Sequence, residues 1–194
     1  DFCPLCPTKP GGFPTEVPEP DYDIVAFENR FPSLKSVPEV PAIAPDGIYR
    51  VEPSQGVCEG VLYSPNHNTS LAAEPVERIH KLILVWRHRF FELGKLDFVK
   101  YVFIFENKGE AVGVTLHHPH GQIYAYPFIP PRIEKELEQS RLHMADTGDC
   151  LLCGILEKEM EFGERIVAEN DTFAAYIPFF AGYPYEVHIS SKRH

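Results

Sequence analysis

Three histidines, a proline, a glycine and a glutamine stand together in His117-His118-Pro119-His120-Gly121-Gln122, the densest chemical signal in the chain. In an extended backbone, residues two apart share a face, so His118, His120 and Gln122 are expected to present two imidazoles and a carboxamide side by side. A neutral imidazole can attack phosphorus near pH 7, and the phosphoramidate it forms is labile enough to pass its group on. Gln122 then suits hydrogen bonding to the phosphoryl oxygens. Just upstream, Gly109 and Gly113 flank a short loop between Asn107 and Thr115, a composition that suits backbone N–H groups cradling a phosphate. A nucleophile and its oxyanion donors must converge within about 3 Å of one reacting atom, so closeness in sequence strengthens both readings.

Four of the five cysteines form two C-x-x-C pairs, Cys3/Cys6 and Cys150/Cys153, and the fifth is Cys58. The odd count and the tight pairs speak against a disulfide framework. Such a pair is either a redox couple or half of a tetrahedral zinc site, and no thioredoxin-like setting surrounds either one. Cys58 sits in an apolar run and reads as a small core residue. Cys150 and Cys153 read first as buried or free cysteines, with a second metal site shared with His194 as the alternative.

These groups must be positioned by an α+β arrangement. Strand composition marks Ile24 to Phe27, Val57 to Tyr63 and Phe98 to Phe105, and a further run from Gln122 to Phe128 follows the histidine cluster. Apolar residues at Val76, Ile79, Leu82, Ile83, Trp86, Phe90 and Leu93 give helical spacing from Pro75, closed by Gly94. Pro131 opens an acidic helix to about Ala145, and Asp149 is placed to cap another. Ile166 to Ala168, Phe173 to Ile177 and Glu186 to Ile189 read as strands. The chain also echoes itself. Cys3-Pro4-Leu5-Cys6, Ile24-Val25-Ala26 and Glu28-Asn29 resemble Cys150-Leu151-Leu152-Cys153, Ile166-Val167-Ala168 and Glu169-Asn170, and Glu59 precedes His67 by the interval at which Glu186 precedes His194.

Composition limits the classes of function. With 194 residues and 44% apolar side chains, the chain can bury an ordinary core, and a net charge of -10 argues against a duplex nucleic-acid binder. No apolar run approaches the roughly 20 residues needed to cross a bilayer. A soluble, cytoplasmic chain is therefore expected. The opening Asp1-Phe2-Cys3 lacks an initiator Met, and the chain is read as a fragment.

The string Phe105-Glu106-Asn107-Lys108-Gly109, followed by His118-Pro119-His120-Gly121-Gln122 and preceded by Cys3-x-x-Cys6 and Ser64-Pro65-Asn66-His67, resembles the signature of the galactose-1-phosphate uridylyltransferases, a branch of the histidine-triad superfamily. The resemblance covers essentially the whole chain. It implies a histidine-triad-like antiparallel half-barrel sheet with packed helices. Residues 1–148 would form an N-terminal unit with the zinc site and catalytic histidine, and residues 149–194 the truncated start of a second copy. It implies that His120 takes uridylyl from UDP-glucose and hands it to galactose 1-phosphate. Structural zinc would fall on Cys3, Cys6, His67 and His118, orienting the strand that aims His120. Nucleotide contacts would fall on Asn29, Arg30, Asn107, Gly113, Val114, Thr115 and Gln122, with Arg30 standing where a close family pattern can have an acidic residue. Glu136 aligns with a carboxylate ligand for a second divalent metal. A homodimer, or pairing with a separately encoded second half, is also implied.

Rival readings are an adenine-nucleotide phosphorylase or nucleotide-sugar phosphorylase of the same superfamily, a zinc-dependent binding module, and a histidine-triad hydrolase. His80, His88, His143 and His188 have no partner pattern and read as surface residues, and Glu134, Glu136 and Glu138 lie on a solvated helix face, with only Glu136 having a family reason to be more.

Overall fold

The computed structural model describes residues 2–194, which fall into two compact units meeting at Pro130 and Pro131. The first carries β1 (Val25–Glu28), β2 (Val57–Leu62), α1 (Val76–Gly94), β3 (Tyr101–Phe105) and β4 (His120–Tyr126). The four strands form one antiparallel sheet in the order β1-β2-β4-β3. The second carries α2 (Pro131–Thr147), α3 (Leu151–Phe162), β5 (Ile166–Glu169), β6 (Phe173–Tyr176) and β7 (His188–Ser191), with its strands antiparallel in chain order. The α+β class and antiparallel pairing are those expected from the sequence. Among the described residues, no helix is long and apolar enough to cross a membrane.

Strand alternation divides the labour of the first sheet. Val61, Ile123, Ala125 and Val102 point toward α1 and pack with Leu82, Leu93 and Trp86. On β4 this leaves His120, Gln122, Tyr124 and Tyr126 on the opposite, half-covered face. β2 is buried along nearly its whole length because both its faces are covered: Val61 faces the α1 core, whereas Leu62 packs with Leu5 and Val17 of the N-terminal segment. That second contact brings the first cysteine pair to the sheet.

The helix α1 presents a different stripe from the one its apolar residues suggest. Val76, Ile83 and Phe90 are exposed, and Arg89 turns inward to form a two-pronged ion pair with Glu59 of β2. Glu59 falls on the α1 face by strand alternation, so a cation at that level of the helix is required to satisfy it. β4 begins at His120, two residues before the expected start, and Cys150, not Asp149, occupies the cap position of α3. Asp149 instead donates its N–H to the Thr147 hydroxyl.

The sequence repeat starts near 149, but the compact second unit starts at Pro131, because α2 packs with α3. The core of this unit is Leu156, Ala174 and Tyr176, with Ile155, Met160 and Ile166 against it. Beside it, Glu159 is buried and accepts from Arg165 at 2.7 Å and from the Phe179 N–H at 2.8 Å.

Replacing Glu59 with Ala strands Arg89 against an apolar core. Urea unfolding is expected to show a loss of about 3 kcal/mol, much of it restored in the double variant Glu59→Leu/Arg89→Leu, which removes both charges.

Candidate metal centre and active-site strand

The site begins in a loop that holds its own shape. The Cys6 N–H bonds the Cys3 carbonyl at 3.3 Å, Thr8 N–H bonds the Val17 carbonyl at 2.9 Å, and the Thr15 hydroxyl donates to the Cys6 carbonyl at 2.6 Å. With Leu5 and Val17 anchored on Leu62, both thiols of the pair are carried to the end of β2.

There the Sγ atoms of Cys3 and Cys6 and one ring nitrogen each of His67 and His118 lie within 4.8 Å of one another. Cys6 Sγ is 3.4 Å from His67 Nδ1 and 3.5 Å from His118 Nδ1. Tetrahedral bonds of usual zinc–sulfur and zinc–nitrogen length would set such sulfur–nitrogen edges at about 3.5 Å. The donor set therefore fits a metal ion without rearrangement of these edges.

His118 is wholly buried, and its other nitrogen fixes its tautomer. Nε2–H donates to the Ser64 carbonyl at 2.9 Å, which leaves Nδ1 with a lone pair aimed at the cysteines. The same carbonyl accepts from the Tyr22 hydroxyl at 2.6 Å. Burial pushes the Tyr22 phenol well above its ordinary value and keeps it a donor. Burial also lowers the His118 imidazole, favouring the neutral form a metal requires, although its bond to the Ser64 carbonyl opposes the shift. The Cys6 thiol is pushed up, first by burial and then by Cys3, and a bound cation is the natural compensation.

Two residues on, the chain has entered β4. His120 Nδ1 is 2.8 Å from the His118 carbonyl. That carbonyl can only accept, so Nδ1 carries the hydrogen and Nε2 the lone pair. Gln122 lies on the same face, opposite Gly60 of β2 and Phe105 of β3. The expected single row of three thus divides: His118 turns into the cysteine cluster, while His120 and Gln122 remain half-exposed on the sheet.

Asn29 follows β1, with its N–H on the Cys58 carbonyl at 2.8 Å and its side-chain oxygen accepting from the Phe31 N–H at 3.0 Å. Arg30 is exposed and pairs with Glu16 at 2.9 Å. Asn107 lies between β3 and a 3-10 turn at Glu110–Val112. Gly109 and Gly113 bracket that turn with φ of 95° and 79°, values that favour glycine. Its N–H groups at Val112, Gly113 and Val114 bond back to carbonyls within the loop, so in this conformation the loop satisfies its own donors. Glu136 lies on α2 of the second unit, where Arg132 approaches it at 3.1 Å, and it joins neither metal-compatible cluster among the described residues. Sequence reasoning missed Tyr22 and the role of the Ser64 carbonyl. Neither belongs to a spacing pattern, because both act through a backbone oxygen.

The family model for the galactose-1-phosphate uridyl transferase N-terminal domain matches residues 1–130. A galactose-1-phosphate uridylyltransferase of Thermotoga maritima is 49% identical over 99% of this chain and 58% of its own length. One from Streptomyces lividans is 41% identical over 100% of this chain and 49% of its own. A solved uridylyltransferase structure superposes with a TM-score of 0.88 at 34% identity, covering 100% of this chain and 59% of the other. The chain thus spans about half to three-fifths of the length of these proteins.

Replacing Tyr22 with Phe should weaken metal retention by roughly tenfold, measured by competition with a chromophoric chelator, because the carbonyl that orients His118 loses its second donor. The sign of the pH dependence is also set. The folded His118 imidazole lies below its ordinary value of 6.5, so in the metal-free protein its contribution to stability is present above that value and lost as pH falls through the lowered folded value. Thermal melting of the apo form from pH 8 to pH 5 should show this loss, with metal release following the same direction.

Proposed function

The chain belongs to the galactose-1-phosphate uridylyltransferase family, and we propose that it forms the catalytic part of an enzyme that moves UMP between UDP-glucose and galactose 1-phosphate through His120. The observation that carries this reading is the 2.8 Å contact between His120 Nδ1 and the His118 carbonyl. It holds the tautomer in which Nε2 is a free nucleophile, without a separate general base.

In the first half-reaction, Nε2 attacks the α-phosphorus of UDP-glucose. A P–N bond forms, the P–O bond to the β-phosphate breaks, and glucose 1-phosphate leaves with that electron pair. In the second, a phosphate oxygen of galactose 1-phosphate attacks the same phosphorus, the P–N bond breaks, and UDP-galactose is released with His120 regenerated. The imidazolium character that develops while phosphorus is bound is stabilised by the His118 carbonyl. Gln122, on the same face, is positioned to donate to the phosphoryl oxygens. Asn29, Arg30, Asn107 and Gly113 to Thr115 supply the remaining nucleotide contacts, which requires the 109–114 loop to turn some of its internally bonded N–H groups toward substrate.

Zinc is the ion we assign to Cys3, Cys6, His67 and His118, since two thiolates and two imidazoles form a closed tetrahedral set suited to a structural role. When bound it supplies rigidity: His118 is both a ligand and the residue whose carbonyl orients His120. A second divalent metal at Glu136, assembly as a homodimer or with a separately encoded half, the repeat boundary at 148/149 and a cytoplasmic setting complete the proposal.

The test uses the full-length protein, wild type and His120→Ala, incubated with UDP-glucose labelled at the α-phosphate. An acid-labile uridylyl adduct on the wild type and none on the variant is the expected result, with kcat for UDP-galactose formation falling by at least about 10³-fold in the variant. Turnover without an adduct would overturn the covalent route. Neither adduct nor turnover with UDP-glucose, but reaction with an adenine dinucleotide or ADP-sugar, would favour the phosphorylase reading.

A further inference from the structure

The second C-x-x-C pair is not idle in the fold. Cys150 caps α3 and Cys153 lies in its first turn, so both thiols leave the same end of one helix. The turn that follows β7 brings His194 to them. That turn is held by the Lys192 N–H on the Thr172 carbonyl at 2.7 Å, by Lys192 Nζ on Glu169 at 2.7 Å, and by the Ser191 hydroxyl on the Arg193 carbonyl at 2.8 Å. The Sγ atoms of Cys150 and Cys153 and a ring nitrogen of His194 lie within 4.8 Å of one another. All three residues belong to the second compact unit.

The arrangement repeats the first cluster in detail. In the first unit, the second cysteine of the pair meets Nδ1 of the histidine that follows β2, Cys6 to His67 at 3.4 Å. In the second, it meets Nδ1 of the histidine that follows β7, Cys153 to His194 at 3.1 Å. The histidine stands eight residues beyond a glutamate in both cases, Glu59 to His67 and Glu186 to His194. A 3.1 Å edge is a few tenths of an ångström shorter than the roughly 3.5 Å of a tetrahedral sulfur–nitrogen edge, an opening that a side-chain rotation of exposed His194 can supply. No disulfide joins the pair.

The donor chemistry selects the ion. Two sulfurs and one imidazole with no carboxylate favour zinc-class cations over calcium or magnesium. The differences from the first cluster matter as well. Cys153 and His194 are exposed, no fourth protein ligand is present among the described residues, and Ser190, Ser191 and Arg193 line the same depression, whose volume is about 340 Å³.

We propose that Cys150, Cys153 and His194 form a second metal site that takes a zinc-class divalent cation, with its fourth coordination position open to water or to an incoming ligand. Such a site fastens the segment after β7 to the start of α3, and its open position makes its ion more exchangeable than the one held by Cys3, Cys6, His67 and His118. The inference stands independently of uridylyl transfer.

The test is metal stoichiometry on the reduced chain, loaded with zinc or with cobalt as a visible probe. Wild type should bind two equivalents, one for each cluster, and Cys150→Ser/Cys153→Ser should bind one. Because two of the four thiolates are then lost, the sulfur-to-cobalt absorbance should fall by about half. His194→Ala should weaken the second equivalent by roughly tenfold or more and leave the first unchanged. Zinc should also slow alkylation of Cys150 and Cys153 in the unmutated chain, a readout that does not depend on any variant folding. A single equivalent that survives Cys150→Ser/Cys153→Ser, equal alkylation rates with and without zinc, or recovery of Cys150 and Cys153 as a disulfide from reducing conditions would each overturn the proposal.

Discussion

One buried imidazole joins the parts of the first unit. His118 offers Nδ1 to the cysteine cluster, gives its Nε2–H to the Ser64 carbonyl, and presents its own carbonyl to His120. Three separate stretches of chain therefore meet on a single residue: the N-terminal loop, the segment after β2, and the start of β4. A neutral imidazole can satisfy all three only in one tautomer. Burial favours that neutral form, and the Ser64 carbonyl selects the tautomer.

The geometry of the sheet explains why the reactive histidine is adjacent to this cluster and not part of it. A residue two positions beyond His118 has already joined β4, where strand alternation sends Gly121 and Ile123 toward α1 and leaves His120 and Gln122 on the other face. Gly121 helps here, since a Cβ at its position would lie 3.3 Å from the Phe105 carbonyl. The metal cluster is thus a buried fastening, whereas the nucleophile remains accessible. These are opposite demands on solvent exposure, met within three residues.

The two units use a related device with different degrees of closure. In the first, a fourth ligand arrives from β4's entry and the cluster is buried around His118; in the second, three ligands gather at an exposed helix start. A closed set suits a permanent structural ion, and an open one suits exchange. The sequence echo that begins near Cys150 is offset from the compact unit that begins at Pro131, because α2 packs against α3.

The residues by themselves determined the chemistry: imidazole and thiolate types at short, regular spacings, the strand and helix periods around them, and a family resemblance resting on several separated strings. Strand alternation even placed His120 and Gln122 together before any coordinates. What only the tertiary structure decided were the relations that depend on backbone atoms and long separations. Tyr22 reaches the Ser64 carbonyl across 42 residues, and Arg89 turns inward to meet Glu59 across 30. A backbone carbonyl carries no side-chain signature, and an inward arginine looks like any solvated helix residue until the buried carboxylate opposite it is seen. The pairing of Cys153 with His194 was likewise visible as an echo, but only folding brought the two within bonding reach.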